Sequence, residues 1–206
     1  NPTLRLRPAP FNRLHHHDFL NWTLQEYVTD ENALDGLLLE FGVGNEAISA
    51  GMIADHSAKV WQRTGFQQPR LFGFDSFQGL PRHWGNLEKG AFGLDSSTAP
   101  VVRNAEFVVG WFNETVEPFL QGAECATAFA GQGAPRIALV HMDADLYEST
   151  LLVLELLTPY LRNGTILIFD DLFFGMQTWT GFCISSSESR VKENWDALFE
   201  VIESSW

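Results

Sequence analysis

The sequence predicts an α/β domain with an open, doubly wound and mostly parallel β-sheet that has helices on both faces. Short continuous apolar runs recur along the chain, as expected of strands that are buried on both faces. The runs lie about 20 to 30 residues apart, which is enough for the helix and two loops of a parallel crossover. Ligands of such sheets bind beyond the carboxyl ends of the strands, so functional residues are expected there.

Each element is predicted from its own pattern. The apolar runs that predict strands are Leu37 to Val43, Leu71 to Phe74, Ala105 to Val109, Ile137 to Met142 and Thr165 to Phe169, with a further strand over Leu198 to Ile202. Apolar residues at helical spacing predict helices over Ala47 to Trp61, Glu114 to Leu120, Ser149 to Leu161 and Ser186 to Ala197. Asn163 and Gly164 are interpreted as the stop of the helix that precedes them.

Residues 1–36 are predicted to form an N-terminal helical segment, and residues 37–206 the main domain. Within the segment, Asp18 to Val28 places Phe19, Trp22 and Tyr27 at roughly helical spacing. An amphipathic helix of this kind covers a core. We therefore expect the segment to pack on the domain or to cap its cleft.

Charge and composition exclude several classes of protein. The 206 residues contain 13 Lys and Arg against 26 Asp and Glu, and the net charge of −13 repels nucleic acid and anionic membrane surfaces. Cys125 and Cys183 belong to no zinc-binding pattern. No apolar run approaches the ~18 residues of a membrane span, and the first residues lack the pattern of a signal peptide. We therefore expect a cytoplasmic protein.

Four carboxylates follow two of the predicted strands. Asp143 and Asp145 come after Ile137 to Met142, and Asp170 and Asp171 come after the next strand. Because carboxylates repel one another, such a cluster indicates a cation between them, and oxygen ligands favour Mg²⁺ or Ca²⁺ over zinc. The alternative is a set of solvated caps at the strand ends.

A glycine-containing turn and an acid mark the ends of the first two strands. Gly42 and Gly44 follow the first strand, but the third glycine of a dinucleotide fingerprint is absent, and Glu46 would repel a pyrophosphate. These features argue against NAD and for a cofactor with a cationic or neutral end. Asp75 ends the second strand, where an acid commonly binds ribose hydroxyls, although an Asx turn explains the same spacing.

Specific motifs stand in a characteristic order between about Leu37 and Trp179. They are LEFGV, FGFDSFQGLP, the stretch from KGAF to VVGWFNETVEPFL, IALVHMDADLYEST and NGTILIFDD. Together they resemble the macrocin O-methyltransferase-like family of S-adenosylmethionine-dependent enzymes, which includes methyltransferases of antibiotic sugars. The resemblance implies a class I methyltransferase (Rossmann-like) fold. It also implies methyl transfer to a hydroxyl of a small polyol, with a sugar of a glycosylated natural product as the favoured acceptor.

The resemblance further implies a cofactor site and a metal site at the strand ends. The residues that would hold S-adenosylmethionine are Glu40, Gly42, Asp75 and Ser76. Those that would hold Mg²⁺ or another divalent cation are Asp143, Asp170 and Asp171. Asp145 would be the catalytic base that takes the proton of the acceptor hydroxyl. The oligomeric state is left open between a monomer and a homo-oligomer.

The chain departs from the family at two places. Glu46 and Ala47 stand where the family usually has glycines or small residues, so the loop at the methionine end of the cofactor is expected to differ. The sequence ends at Trp206, where the family has a closing antiparallel hairpin strand, so the C-terminal hairpin is expected to be incomplete.

Two alternative functions remain open. Asp143-x-Asp145 after a strand, followed by IFDD, also resembles the acidic motifs of haloacid-dehalogenase-like phosphohydrolases. Asp143 and Asp170 are close in sequence, however, and leave little room for the other motifs of that class. The second alternative, motivated by Glu46 and Ala47, is a catalytically inactive cofactor-binding interaction module.

Overall fold

A computed structural model of the chain describes residues 5–8, 16–29, 34, 36–62, 71–94, 99–122, 137–170 and 180–183. Within this part the strands form one seven-stranded sheet. The strands are β1 (Arg5–Pro8), β2 (Leu37–Phe41), β3 (Leu71–Asp75), β4 (Ala105–Val109), β5 (Ile137–Met142), β6 (Leu161–Phe169) and β7 (Thr180–Cys183). Their order across the sheet is β1-β7-β6-β5-β2-β3-β4. Strands β2 to β6 are parallel, and β7 and β1 add an antiparallel edge.

Helices cover both faces of the sheet, which confirms the predicted doubly wound class. The α-helices are α1 (His16–Tyr27), α2 (Ile48–Gln62), α3 (Phe112–Gln121) and α4 (Tyr147–Leu157), and a 3₁₀ turn spans Thr158–Tyr160. Helices α1 and α2 share one buried core cluster, whereas α3 and α4 contribute to the other. No helix among these residues is long and apolar enough to cross a membrane.

Alternation along β2 separates the two cores. Leu39 and Phe41 lie in the cluster on the α3 and α4 side, and Leu38 lies in the cluster under α1 and α2. All residues of β2 and β5 are buried, as expected of central parallel strands. Glu40 is two residues from Leu38 and therefore shares its face, so a carboxylate is placed in the α1 and α2 core.

Helix α1 is part of this core. Phe19, Leu20 and Leu24 are fully buried and contact the cluster that includes α2, while Trp22 and Tyr27 pack partly buried against it. The predicted helix over Asp18 to Val28 therefore exists, with bounds shifted by one or two residues. Whether residues 1–36 act as a separate segment stays a prediction.

The structure corrects the sequence prediction at one helix end. Asn163 and Gly164 do not stop the preceding helix, because α4 already ends at Leu157 and β6 begins at Leu161. Pro159 lies in the 3₁₀ turn between them. The ladder between β5 and β6 is irregular here, since Ile137 pairs with Leu161 but Leu139 pairs with Ile166.

Some of the predicted elements and residues lie outside the part of the chain that the structure describes. The helix over Ser186 to Ala197, the strand over Leu198 to Ile202, Cys125 and Asp171 fall outside the described ranges. Strands β1 and β7 were not predicted. Their sequences, RLRP and TGFC, lack the continuous apolar run that identifies a central strand, as is usual for an antiparallel edge.

Candidate active site

The carboxyl ends of the parallel strands meet at one edge of the sheet. The ladder continues one residue past the strands there: the Asp143 amide donates to the Phe41 carbonyl at 2.8 Å, and the Asp170 amide donates to the Met142 carbonyl at 2.9 Å. These bonds fix the backbone of both aspartates relative to the sheet. The predicted neighbourhood of the acids after β5 and β6 is therefore observed for these two residues.

An open cleft of about 670 Å³ lies over this edge. Its wall includes five carboxylates, those of Glu46, Asp75, Asp143, Asp145 and Asp170. No Lys or Arg is among the described residues that line it. The field in the cleft therefore attracts cationic ligands and repels anionic ones.

Asp75, the last residue of β3, is hydrogen-bonded to the glycine turn that follows β2. Its Oδ2 accepts hydrogen bonds from the backbone amides of Val43 and Gly44, both at 2.9 Å, and its Oδ1 accepts one from Phe77 at 2.7 Å. The bond from Phe77 closes an Asx turn, which is the alternative explanation that the sequence offers for Asp75. In a dinucleotide-binding loop such amides face a phosphate, whereas here they face a carboxylate, so the turn is not available to a pyrophosphate.

Three residues of the turn, Gly42, Gly44 and Ala47, have positive φ. Gly42 has φ of 88°, and a Cβ built on it would overlap the carbonyl oxygen of Asp143, so the two strand ends approach too closely for any side chain at that position. Ala47, at the start of α2, has φ of 47° although it is not glycine. Ala47 lies in the cleft wall, and the altered loop relative to the family stays a prediction.

Glu40 lies behind the cleft rather than in its wall. Its side chain is completely buried, and its Oε1 is 3.0 Å from Nδ1 of the equally buried His141 on β5. His141 Nε2 lies 4.0 Å from Oδ1 of Asp170. The three groups form a polar row under the strand ends, in which His141 lies between Glu40 and Asp170 of the cleft wall. The predicted contact of Glu40 with a cofactor stays a prediction.

The remaining predicted residues line the cleft. Ser76 is nearly buried, and its Oγ accepts a hydrogen bond from the Gln78 amide at 3.1 Å. Asp145 has a left-handed backbone with φ of 57°, a conformation that is uncommon outside glycine and is often found at functional sites. Among the described residues, no group of three or more His, Cys, Asp or Glu is arranged to hold a metal ion.

A loop between β3 and β4 forms the opposite wall of the cleft. The amide of Leu80 donates to Ala91 and that of Gly90 donates back to Leu80, both at 2.9 Å. A second pair of backbone bonds closes the turn from Trp84 to Leu87. Trp84 and Phe92 thereby reach the cleft. Both were missed from the sequence, where glycines predict turns here but not which aromatic side chains the turns present.

One ion pair connects this loop to α4. Arg82 Nη2 donates to Glu148 at 2.8 Å to Oε1 and 2.6 Å to Oε2, and both side chains are about half exposed or more. The Arg82 guanidinium that hydrogen-bonds Glu148 holds the pKa of that carboxyl below its ordinary value. The described part of this loop contains two Arg or Lys residues, Arg82 and the exposed Lys89, and Glu148 already engages Arg82.

The chain matches known proteins over most of the described domain. A family model described as a methyltransferase domain matches residues 39–172. A methyltransferase of Streptomyces olivaceus, 8-demethyl-8-(2,3-dimethoxy-α-L-rhamnosyl)-tetracenomycin-C 4′-O-methyltransferase, is 30% identical in an alignment of 173 residues that covers 75% of this chain and 59% of that protein. The chain thus spans less than two thirds of the length of this relative.

Solved structures give the same result. The calicheamicin methyltransferase CalS11 aligns with a TM-score of 0.60 at 28% identity, covering 78% of this chain and 66% of its own. The apo form of CalS11, described as a TDP-rhamnose 3′-O-methyltransferase, aligns at 0.52 and 27% over 78% and 65%. The O-methyltransferase NovP aligns at 0.53 and 17% over 89% and 71%, and supports the fold alone.

These matches confirm the resemblance to antibiotic sugar O-methyltransferases and the predicted class I fold. They favour the methyltransferase expectation over the phosphohydrolase alternative. They do not test the individual site residues, the metal, the oligomeric state or the cytoplasmic location, which stay predictions.

Proposed function

Because the chain belongs to the family of methyltransferase domains, we propose that it transfers a methyl group from S-adenosylmethionine to a hydroxyl of a sugar on a natural product. The tetracenomycin relative methylates a sugar of this kind, and CalS11 is described as methylating rhamnose that is attached to TDP. The observation that supports the proposal most directly is the acid-lined cleft over the strand ends, with Asp75 bonded to the glycine turn. The cofactor carries a sulfonium and an ammonium group, so this field favours it.

We assign the cofactor to the part of the cleft formed by Gly42, Asp75 and Ser76. Gly42 lets the ligand approach the backbone where a side chain would not fit. Asp75 uses Oδ2 for two amides and Oδ1 for one, which leaves acceptor capacity on Oδ1 for a ribose hydroxyl. Glu46 stands in the same wall, where its carboxylate suits the ammonium group of the methionine end.

The chemical step needs a base at the acceptor. The hydroxyl oxygen forms a bond to the methyl carbon while the carbon–sulfur bond breaks, so the sulfonium becomes a thioether and S-adenosylhomocysteine leaves. The hydroxyl proton must go to a nearby group, and Asp145 lines the cleft beside Asp143, at the end of β5. Asp145 is therefore our candidate for the general base.

We also propose a divalent cation held by Asp143, Asp170 and Asp171. Carboxylate oxygens at adjacent strand ends are a donor set that suits Mg²⁺, and Asp143 and Asp170 both line the cleft. The third ligand lies outside the described residues. Asp143, Asp170 and Asp171 would hold the cation, whose charge would lower the pKa of an acceptor hydroxyl at this edge of the sheet.

The cofactor assignment is tested by calorimetry with S-adenosylhomocysteine. Asp75→Asn keeps the size of the side chain but removes its charge, and we expect it to weaken binding by ~1–3 kcal/mol, the range for a hydrogen bond to a charged group. The matched control is Asp55→Asn on the exposed face of α2, which should bind like the parent protein. Equal affinity of both variants would refute the assignment.

The division of roles between base and metal is tested by two neighbouring substitutions. Asp145→Asn should retain cofactor and Mg²⁺ binding but lose about 10²- to 10⁴-fold in methyl transfer, the range for loss of a general base. Asp143→Asn should lose Mg²⁺ binding and activity together. Full activity of the parent protein after chelation would exclude the metal. Cofactor binding without turnover of any sugar acceptor would instead favour the interaction module.

A further inference from the structure

The relatives are described as acting on two chemical classes of acceptor. One protein methylates a rhamnosyl group attached to tetracenomycin, whereas the other is described as acting on TDP-rhamnose. Both names contain a rhamnose ring, which carries two methoxy groups and is methylated at 4′ in the first and is methylated at 3′ in the second. The names also differ in the group attached to the sugar, which is a natural-product aglycone in the first and an anionic nucleoside diphosphate in the second. The surroundings of the cleft therefore bear on which class this chain takes.

Charge in the cleft disfavours the nucleoside diphosphate. A diphosphate is usually bound by Arg, Lys or free backbone amides. The described lining includes five carboxylates and neither Arg nor Lys. The amides of Val43 and Gly44 are held by Asp75, and Arg82 on the loop wall is held by both oxygens of Glu148. Lys89 of the same loop is exposed and is not among the residues that line the cleft.

The loop wall instead offers apolar ring surface. Phe92 is 52% exposed and has a left-handed backbone with φ of 66°, so the chain keeps a large apolar side chain both in water and in a disfavoured conformation. The backbone bonds between Leu80, Gly90 and Ala91 hold it there. Trp84, also in the cleft wall, lies on the same loop. Strain and exposure together at a cleft indicate a ligand contact.

We propose that the acceptor is a sugar attached to an uncharged, flat and apolar aglycone, whose rings pack on Trp84 and Phe92. The sugar hydroxyl then points to the acids at the strand ends, and the aglycone lies along the loop wall. This inference rests on the proposed methyl transfer and adds the class of the group that carries the sugar. A nucleoside diphosphate sugar is the excluded alternative.

The experiment compares three rhamnosides that carry different attached groups. The probes are p-nitrophenyl α-L-rhamnoside, methyl α-L-rhamnoside and TDP-rhamnose, each assayed with S-adenosylmethionine at the same Mg²⁺ concentration. We expect kcat/KM for the aryl rhamnoside to exceed both others by at least about tenfold, the effect of one buried aromatic contact. Higher salt should not reduce this preference, because the proposed contact is apolar.

Variants locate the preference on the loop wall. Phe92→Ala and Trp84→Ala should each lower kcat/KM for the aryl rhamnoside about tenfold while leaving methyl rhamnoside nearly unchanged. Val101→Ala is the matched control, because Val101 is 96% exposed and does not line the cleft. The affinity for S-adenosylhomocysteine should be the same in all of these proteins, which separates acceptor effects from cofactor effects.

The outcomes distinguish the inference from the proposed function. If TDP-rhamnose is methylated as well as the aryl rhamnoside or better, the inference is wrong and the proposed methyl transfer stands. If the aryl preference persists in both loop variants, the assignment to Trp84 and Phe92 is wrong. If S-adenosylhomocysteine does not bind and no rhamnoside is methylated, the proposed function fails, and the inference fails with it.

Discussion

The two walls of the cleft are built by different interactions. The strand-end wall, formed by Asp75 at the end of β3 and by the residues that follow β2, β5 and β6, continues the hydrogen-bonded ladder of the sheet and lies directly on the two cores. The loop wall, residues 76–94, is held by its own turns and by the ion pair between Arg82 and Glu148. Chemistry common to a fold belongs on the first kind of wall, and selectivity on the second.

This difference predicts where substitutions are tolerated. A change in the strand-end wall disturbs the sheet and should cost stability together with function. A change at an exposed position of the loop wall meets mostly solvent and local backbone bonds, so it should alter the acceptor with little effect on folding. The following substitutions test this contrast in order of decreasing expected effect.

The largest effect is expected at Gly42. Gly42→Ala places a methyl group against the Asp143 carbonyl, and neither strand end can move without disrupting the sheet. We expect a loss of about 4 kcal/mol or more in the free energy of unfolding, measured by urea denaturation. Gly44→Ala is the control: it has φ of 68° but nothing within 4 Å, so only the backbone cost of about 1 kcal/mol applies. Equal losses in the two variants would contradict the close approach.

Asp75 should have the next largest effect. Asp75→Ala leaves the amides of Val43, Gly44 and Phe77 without their common acceptor, and we expect a loss of about 3 kcal/mol in unfolding free energy. Asp55→Ala, an exposed acid on α2, should change stability by less than about 0.5 kcal/mol. A stable Asp75→Ala protein would show that the turn keeps its shape without the carboxylate.

The strand-end wall is also the region that the sequence predicts best. Strands β4 and β5 have the predicted bounds. β5 is buried at every position and therefore needs a continuous apolar run, whereas β4 is a partly exposed edge strand with a shorter run. Asp143 and Asp170 follow such runs, so topology alone brings them to one edge. The position of Glu40 is predicted from the sequence only in part. Its partner His141 lies 101 residues away, and the strand order that pairs them is not visible in either segment.

The loop wall could not be predicted in the same way. Which side chains it presents depends on backbone bonds such as those between Leu80 and Ala91, and on positive φ at Phe77 and Phe92, where a sequence predicts glycine or asparagine. The irregular start of β6 has a similar cause. Asn163 and Gly164 have the composition of a helix stop, but α4 ends one turn earlier, before Pro159.

Phe77 and Phe92 provide a comparison within the loop. Both have positive φ, but Phe77 is 8% exposed and belongs to a core cluster, whereas Phe92 is 52% exposed. Glycine relieves the same backbone strain at both positions. Phe77→Gly should still lose about 2 kcal/mol or more, because the lost ring burial exceeds the relief. Phe92→Gly should stay within about 0.5 kcal/mol of the parent, and a large loss there would show that its ring stabilises the fold.

The smallest effect is expected for the ion pair between Arg82 and Glu148. Its exposed groups are screened by solvent, so a double-mutant cycle with Arg82→Ala and Glu148→Gln should give a coupling energy of about 0.2–1 kcal/mol at pH 7. The pKa of Glu148 is lowered from 4.5 by the Arg82 hydrogen bond, so the folded protein binds that proton less readily than the unfolded chain. The stabilisation is therefore complete above the ordinary pKa and is lost as the pH falls through the lowered value.

The same cycle at two salt concentrations separates a surface ion pair from a structural clamp. Screening should remove most of the coupling at 1 M NaCl, where the Debye length is about 3 Å. If the coupling persists in high salt, or if breaking the pair lowers acceptor kcat/KM as much as Phe92→Ala does, the pair positions the loop wall. The contrast between a strand-end wall that stabilises the fold and a loop wall that selects the acceptor would then fail, because the ion pair to α4 would affect both stability and selectivity.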